Sequence, residues 1–318
     1  MAKKSISFRP SRDIPSLAGR VILVTGGNSG LGKQCVLEYA RHGGPSQIWL
    51  AARSLSRAGE AADEIKSQLA APSRQADIRL LEMDLSSLAS VRAAARVFLA
   101  EAARLDILML NAGIMAVPPG LSKDGYEIQF ATNHVGHALL AKLLLPALEK
   151  TASASQPGVD ARARVVCLSS YGHVSAPKPE GIRFGSLRTE ADDLGPYGRY
   201  GQSKLANVLW TRQMARLYPQ FTFASIHPGV VRTNLMNNAT GSSCAVRVLG
   251  KVATKLVTPV DQGARNQLWA SVATEGIESG EYYEPVGIGG MATELGRDMD
   301  LAEKLWDWTE KELEPWIE

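Results

Sequence analysis

The chain has 318 residues, 45% of them hydrophobic, which is enough to bury one substantial α/β core. Its 35 Lys and Arg against 32 Asp and Glu leave a net charge of +3, and no basic block is interleaved with aromatics, which argues against a nucleic-acid partner. Cys35, Cys167 and Cys244 stand far apart, without metal or C-x-x-C spacing, and read as reduced thiols of a cytoplasmic protein.

Residues 1–16 form an N-terminal extension carrying Lys3, Lys4, Arg9 and Arg12 but no apolar run long enough for a signal sequence or membrane span, so a soluble protein without a stable membrane anchor is expected. The remainder, 17–318, reads as one domain. Val21–Val24 is a strand-like run that stops at a glycine turn opening into a helix from Lys33. Gly26, Gly30 and Gly32 there let the backbone approach a pyrophosphate, and the N–H groups of the helix start favour an anion; the same glycines would also serve a plain tight turn. The second run, Gln47–Ala51, leads to Arg53. Dinucleotide folds selective for NAD place a carboxylate at this point, whereas a guanidinium pairs with a 2′-phosphate, so NADP(H) is the expected cofactor. Asn28 and Ser29 supply neutral hydrogen-bonding groups nearby, Ser54 and Arg57 are possible helpers, and an ordinary surface arginine is the alternative.

Ala58–Leu69 and Ser90–Arg104 have helical spacing and read as covering helices around a third strand, Ile78–Glu82. Asp84 after that strand, taken by itself, reads as a helix cap as readily as a ligand acceptor. Behind the strand Ile107–Leu110, the small residues of Asn111-Ala112-Gly113 would let an adenosine ribose lie against the strand end, or form a plain strand-to-loop transition. A long helix is expected over Tyr126–Glu149, a surface loop over Thr151–Ala161, and strands at Arg164–Leu168 and Phe221–Ile226. Tyr171–Arg199, irregular and holding Pro177, Pro179 and Pro196, suits a substrate wall. Strands alternating with helices imply a Rossmann-type, doubly wound parallel sheet with helices on both faces, and every chemical motif falls at a strand's carboxyl end.

On the helix Gly198–Tyr218, Tyr200 and Lys204 stand one turn apart, bringing a phenol and an ammonium to one face. A nearby cation stabilises a phenolate and moves tyrosine toward useful acid/base values. Tyr197 lacks a lysine four residues on. Asn234–Val257 mixes Met236, Val246, Leu249 and Leu256 with Arg247, Lys251 and Lys255, as an amphipathic substrate lid over about 234–257 would, with membrane contact as the alternative. A last helix, about 298–314, is anchored by its tryptophans.

Thr25-Gly26 with Gly30-Leu31-Gly32, Asp84-Leu85, Asn111-Ala112-Gly113, the Tyr200/Lys204 pair and His227-Pro228-Gly229-Val230-Val231-Arg232-Thr233 together resemble the short-chain dehydrogenase/reductase family. The segments N-H-V-G-H, S-K-L-A-N-V-L and H-P-G-V-V-R-T are most similar to its retinol dehydrogenase and WW-domain oxidoreductase branch, including fungal members of secondary metabolism. The resemblance implies a catalytic set of Ser170, Tyr200, Lys204 and Asn133, with Ser169 as the register alternative for the serine. Ser170 would stabilise the substrate oxygen, Tyr200 would exchange its proton, Lys204 would also bind the nicotinamide ribose, and Asn133 would kink its helix and hold a water linking Lys204 to solvent. Cofactor contacts implied are Gly26, Gly30, Leu31, Gly32, Asp84, Leu85, Asn111, Ala112 and Gly113, then Val231 for the carboxamide and Thr233 for the pyrophosphate. No G-x-S-x-G elbow surrounds Ser170 and His173 has no evident base role, so a hydrolase is not indicated.

The expected function is therefore NADP(H)-dependent hydride transfer between nicotinamide and a carbonyl or secondary alcohol of an apolar small molecule, chiefly ketone reduction in secondary metabolism. The rivals are redox-neutral acid/base chemistry and a non-catalytic NADP(H)-binding regulator. The resemblance also implies a homo-oligomer associating through the helices Tyr126–Glu149 and Gly198–Tyr218. No metal site is expected.

Overall fold

The computed structural model describes residues 5–69, 76–153, 162–231, 235, 239–241 and 257–317. Seven strands, β1 (Val21–Thr25), β2 (Gln47–Ala52), β3 (Asp77–Glu82), β4 (Ile107–Leu110), β5 (Arg164–Leu168), β6 (Thr222–Ile226) and β7 (Glu281–Tyr283), pair in the order β3-β2-β1-β4-β5-β6-β7. All six pairings are parallel. Helices cover both faces, so β1, β4, β5 and β6 are buried at every position and mostly apolar. Val21 and Leu23 of β1 point into one core with the helices Leu88–Glu101, Gly136–Leu143 and Gly195–Leu217. Ile22 and Val24 point into the other, against Gly30–Glu38, Leu55–Ser67 and Arg265–Val272. The same alternation runs through β4, where Leu108 and Leu110 oppose Ile107 and Met109.

The strand order reverses direction between β1 and β4, and the crevice at their carboxyl ends is where such sheets bind ligands. The six strands expected from sequence are present, with ends shifted by at most one residue. The seventh is only three residues long, lies between Gly280 and Glu284, and carries no readable period.

The single helix expected over Tyr126–Glu149 is instead interrupted twice. Residues Ala131–Val135 form a wide π-helical turn, and Leu144 (φ −92°, ψ 0°) separates Gly136–Leu143 from Leu145–Ser153. Pro146 accounts for the second break, since proline has no N–H to give the carbonyl of Lys142 one turn back and its ring crowds that carbonyl. The irregular stretch before Tyr200 contains three short 3₁₀ turns, and its helix begins at Gly195. Residues 5–16 dock on the fold: Phe8 and Ile14 are buried core residues, and the Ile6 N–H donates to the Val286 carbonyl (3.0 Å).

The C-terminal helix Met299–Leu313 lies along Gly195–Leu217, with Ala302, Leu305 and Leu313 buried in the first core. Lys142–Glu310, Arg188–Glu312 and Arg216–Glu303 tie its outer side to the body. Every residue from Arg199 to Thr211 is buried within one chain, as is every residue from Asn133 to Ala141, on the two helices that the resemblance offers as association faces. Among the described residues no helix is long and apolar enough to cross a membrane.

Candidate active site

The glycine turn is built for close approach. Gly26 (φ +65°) and Gly30 (φ +52°) adopt left-handed conformations that other residues resist. A Cβ on Gly32 would lie 2.5 Å from both the Asn111 amide nitrogen and the Gly26 carbonyl, so neither turn nor strut tolerates a side chain there. Asn111 is that strut. Its Nδ2 donates to the Thr25 carbonyl (2.8 Å) and its Oδ1 accepts from Gln267 (3.3 Å), which faces the side chain inward and leaves backbone and Ala112 at the crevice. Thr25 Oγ1 accepts the N–H groups of Asn111 and Ala112, both at 2.9 Å, and bonds His137 Nε2 at 2.9 Å, while His137 Nδ1 donates to the Asn133 carbonyl (3.1 Å). The ends of β1 and β4 are thus fastened to the π turn.

Ser29 takes the N-cap position of the Gly30–Glu38 helix with extended backbone, is exposed, and makes no capping bond with its hydroxyl; Asn28 is half-buried beside it. Leu31 is half-buried, and Val231 packs over the same helix start, since a Cβ on Gly263 would fall 2.4 Å from Val231 and 3.2 Å from Leu31. Arg53 is exposed at the end of β2, while the Ser54 hydroxyl is engaged in capping the next helix at Arg57 N–H (3.4 Å). Asp84 accepts from the Ser86 hydroxyl (2.7 Å) and N–H (3.0 Å). Burial works upward on its carboxyl, but the Ser86 bonds, with Lys123 and Arg53, outweigh it and hold the pKa below the ordinary value. Leu85 is buried, and its carbonyl lies so close to Gly136 that a Cβ there would meet it at 2.3 Å. A nicotinamide dinucleotide fits this donor set: a cradle closed to any Cβ, a helix start with free donors, a cation at the second strand and an acceptor at the third. Thr233 lies outside the described residues.

Tyr200 and Lys204 share one face of the Gly195–Leu217 helix, both buried, with the ammonium 5.8 Å from the phenol ring centroid. Lys204 Nζ donates to the Leu168 carbonyl (2.8 Å) at the end of β5. Burial pushes the ammonium down to about 8, with Cys167 acting weakly upward. Burial likewise pushes the phenol up to about 12, and a hydrogen bond from Ser170 acts the other way. In this arrangement desolvation dominates, so the resting phenol is held in its neutral form.

The two serines after β5 have different employment. Ser169 is buried and donates to the Lys204 carbonyl (2.7 Å), whereas Ser170 Oγ accepts the Gly172 N–H (3.0 Å) and lines the cavity with Tyr200. His173 Nδ1 donates to the Ser170 carbonyl (2.8 Å), and its Nε2 accepts the Thr293 N–H (3.2 Å), so this histidine is a brace for Ser170. Asn133 sits in the π turn, fully buried. Its Oδ1 accepts Ile114 N–H (2.8 Å) and its Nδ2 donates to Ile114 O (3.0 Å) and Ser203 Oγ (2.8 Å), which commits the amide to bracing the loop after β4 beside Lys204. Gly113 lies between them: a Cβ there would stand 3.0 Å from Asn133 Oδ1 and 3.5 Å from Lys204 Nζ.

A cavity of about 480 Å³ opens over Tyr200 and Ser170, walled by Met115, Tyr171, Gly172, Ser175, Tyr197, His227, Val230 and Glu284. Tyr171 and Tyr197 come from the irregular stretch that the sequence marked as a wall. Of the expected lid, only Leu235, 239–241 and Val257 are described, and Gly241 N–H bonds the Ala116 carbonyl (2.8 Å) next to Met115.

A family profile described as short chain dehydrogenase matches residues 20–171. The short-chain dehydrogenase/reductase drtF of Aspergillus calidoustus is 40% identical over 311 residues, covering 94% of this chain and 95% of that protein. The chain belongs to the short-chain dehydrogenase/reductase family. Human retinol dehydrogenase 13 is 35% identical over 296 residues, covering 92% and 83% of the two chains, in keeping with the retinol dehydrogenase-like branch and its fungal members. A crystal structure of an uncharacterised Mycobacterium paratuberculosis protein superposes with a TM-score of 0.71 at 30% identity, covering 96% of this chain and 97% of that one. This chain is accordingly a short-chain-family oxidoreductase that works with a nicotinamide dinucleotide.

Within this short-chain dehydrogenase/reductase site, sequence reasoning missed Glu284, Met115 and the brace formed by His173. Glu284 follows a strand too short to recognise. Met115 and His173 carry no spacing signal, because their neighbours come from distant parts of the chain.

Proposed function

We propose that this protein is an NADP(H)-dependent ketone reductase acting on an apolar small molecule. The observation that carries the reading is a buried Tyr200 that lines a cavity of about 480 Å³ together with Ser170, its phenol held neutral by desolvation, with Lys204 one helical turn on. A protonated phenol is the form that gives a proton to a carbonyl oxygen, so reduction is the direction this resting arrangement favours. Ser170 orients the oxygen and donates to the negative charge that develops on it, while the Lys204 cation favours the phenolate left behind and Asn133 braces the loop beside it. A bound nicotinamide supplies the hydride. The residues that would hold the dinucleotide are Asn28, Ser29, Gly30, Leu31 and Gly32 at the pyrophosphate with Thr233, Asp84 and Leu85 at the adenine, Ala112 and Gly113 at the ribose, Val231 at the carboxamide, and Gly26 with the Asn111 strut behind the turn.

Preference for NADP(H) rests on Arg53, exposed where an NAD-selective site would carry a carboxylate. Arg53→Ala should weaken NADPH binding by about ten- to a hundredfold and leave NADH within about twofold, measured by titration calorimetry. An apolar substrate suits walls of methionine, valine and two tyrosines, and the printed name of the human relative, a retinol dehydrogenase, supports the same class. The deciding experiment follows NADPH absorbance and product together on a panel of ketones, with one NADPH consumed per alcohol formed as the expected result. Product formed without NADPH loss would instead mean redox-neutral chemistry, and NADPH binding without turnover a regulator.

A further inference from the structure

One wall of the cavity is unlike the rest. Glu284 follows β7 and faces the same space as Tyr200 and Ser170, with its side chain 21% exposed among otherwise mostly apolar walls. Its Oε2 accepts the Tyr282 hydroxyl at 2.6 Å, and Tyr282 is wholly buried, so the carboxylate is held in one orientation. Its Oε1 accepts no hydrogen bond among the described residues; the nearest cationic candidate, His227 Nε2, stands 3.9 Å away, beyond hydrogen-bond reach. His227 does not neutralise the acid, because burial, with His173 nearby, holds its imidazole below the ordinary value against the opposing pull of Glu284. The result is a fixed carboxylate with a vacant acceptor position on a cavity whose other walls include Met115, Val230, Ser175, His227 and the exposed rings of Tyr171 (59%) and Tyr197 (41%).

We propose that Glu284 is a specificity-determining residue that reads a hydroxyl on an aryl ketone substrate, at the end of the molecule away from the reacting carbonyl. The inference rests on the ketone-reductase reading for the placement of that carbonyl at Tyr200 and Ser170. A substrate entering the cavity strips water from Glu284 Oε1, and a carboxylate left without a donor in an apolar surrounding is strongly disfavoured. A ligand hydroxyl restores the bond; an ether or a bare ring does not. The flat faces of the two tyrosines favour a planar ring as the body that carries this hydroxyl, and a cavity of about 480 Å³ has room for a fused bicyclic ketone.

The test compares 6-hydroxy-1-tetralone with 6-methoxy-1-tetralone, in which a methyl group replaces the donor hydrogen. Binding is read by titration calorimetry and turnover by NADPH absorbance, on the full chain and on Glu284→Gln. The full chain should bind the hydroxy ketone at least about tenfold more tightly than the methoxy ketone. Glu284→Gln, whose amide turns donors toward the cavity when its oxygen meets Tyr282, should bring the two within about twofold by weakening the hydroxy ketone alone. Equal affinities in the full chain overturn the proposal whatever the variant does, as does a preference that survives Glu284→Gln, or no measurable binding of either ketone. The two readings separate cleanly. NADPH consumption without hydroxyl preference sinks the role of Glu284 and leaves the reductase, while hydroxyl preference in binding without consumption does the reverse.

Discussion

Ser169 and Ser170 are adjacent, chemically identical, and assigned to opposite tasks by the direction in which the end of β5 turns them. Ser169 holds the Lys204 carbonyl and Ser170 meets the phenol. Ser170→Ala should therefore lower kcat by about a hundredfold with cofactor affinity unchanged, as expected for loss of a donor to developing charge. Ser169→Ala should leave kcat within a few fold and lower stability by about 1 kcal/mol, read by thermal melting. A reversal of these two effects would exchange the roles. Local spacing made Tyr200 and Lys204 legible in the sequence, because one helical turn fixes their neighbourhood. It did not give the protonation of the pair, which follows from burial by distant strands, and it could not choose between the serines, whose directions depend on the strand's pleat.

The element that most constrains the site is the glycine turn with its strut. Gly32→Ala places a methyl 2.5 Å from Asn111 and from the Gly26 carbonyl, both backbone-anchored, so the turn rather than the methyl must give way. Loss of NADPH affinity by at least about tenfold is expected, with the far-ultraviolet dichroism unchanged; retained affinity would mean that the dinucleotide lies elsewhere. The turn was legible as a motif, whereas its strut was not, since Asn111 reaches it across β1 and β4. A kink at Asn133 was implied by the resemblance, but the π turn at Ala131–Val135 could not be read from spacing. Its sequence has ordinary helical spacing, and the widening appears with the contacts of Asn133 to Ile114 and of His137 to Thr25, which lie outside the helix.

At the scale of the molecule, two buried histidines couple the core to pH. Burial pushes His134 and His137 down to about 3, against an Asn207 bond for the first and the Asn133 carbonyl for the second. Both are neutral when folded and protonate near pH 6.5 when unfolded, so the unfolded chain binds more protons between those values. Their stability contribution is whole above about pH 6.5 and is lost as the pH falls toward 3, by about 2 kcal/mol for each imidazole at pH 5. Melting temperatures at pH 7.5 and 5.0 check this, and equal values would contradict it. The doubly wound sheet was readable from the alternation of strands and helices, but the closure of its helical face was not. The terminal helix buries Ala302, Leu305 and Leu313 on a surface whose partners lie some hundred residues away.

The central claim is that a neutral Tyr200 delivers the proton of a nicotinamide-dependent reduction, and it is tested most directly by Tyr200→Phe, which removes one hydroxyl from a buried ring. NADPH affinity by calorimetry and NADPH consumption with a ketone turned over by the unaltered chain would be measured on the same preparation. The account predicts an unchanged dissociation constant within about twofold and a loss of turnover of at least about a hundredfold. A variant that still reduces the ketone at a comparable rate would contradict it and return the proton donor to another residue.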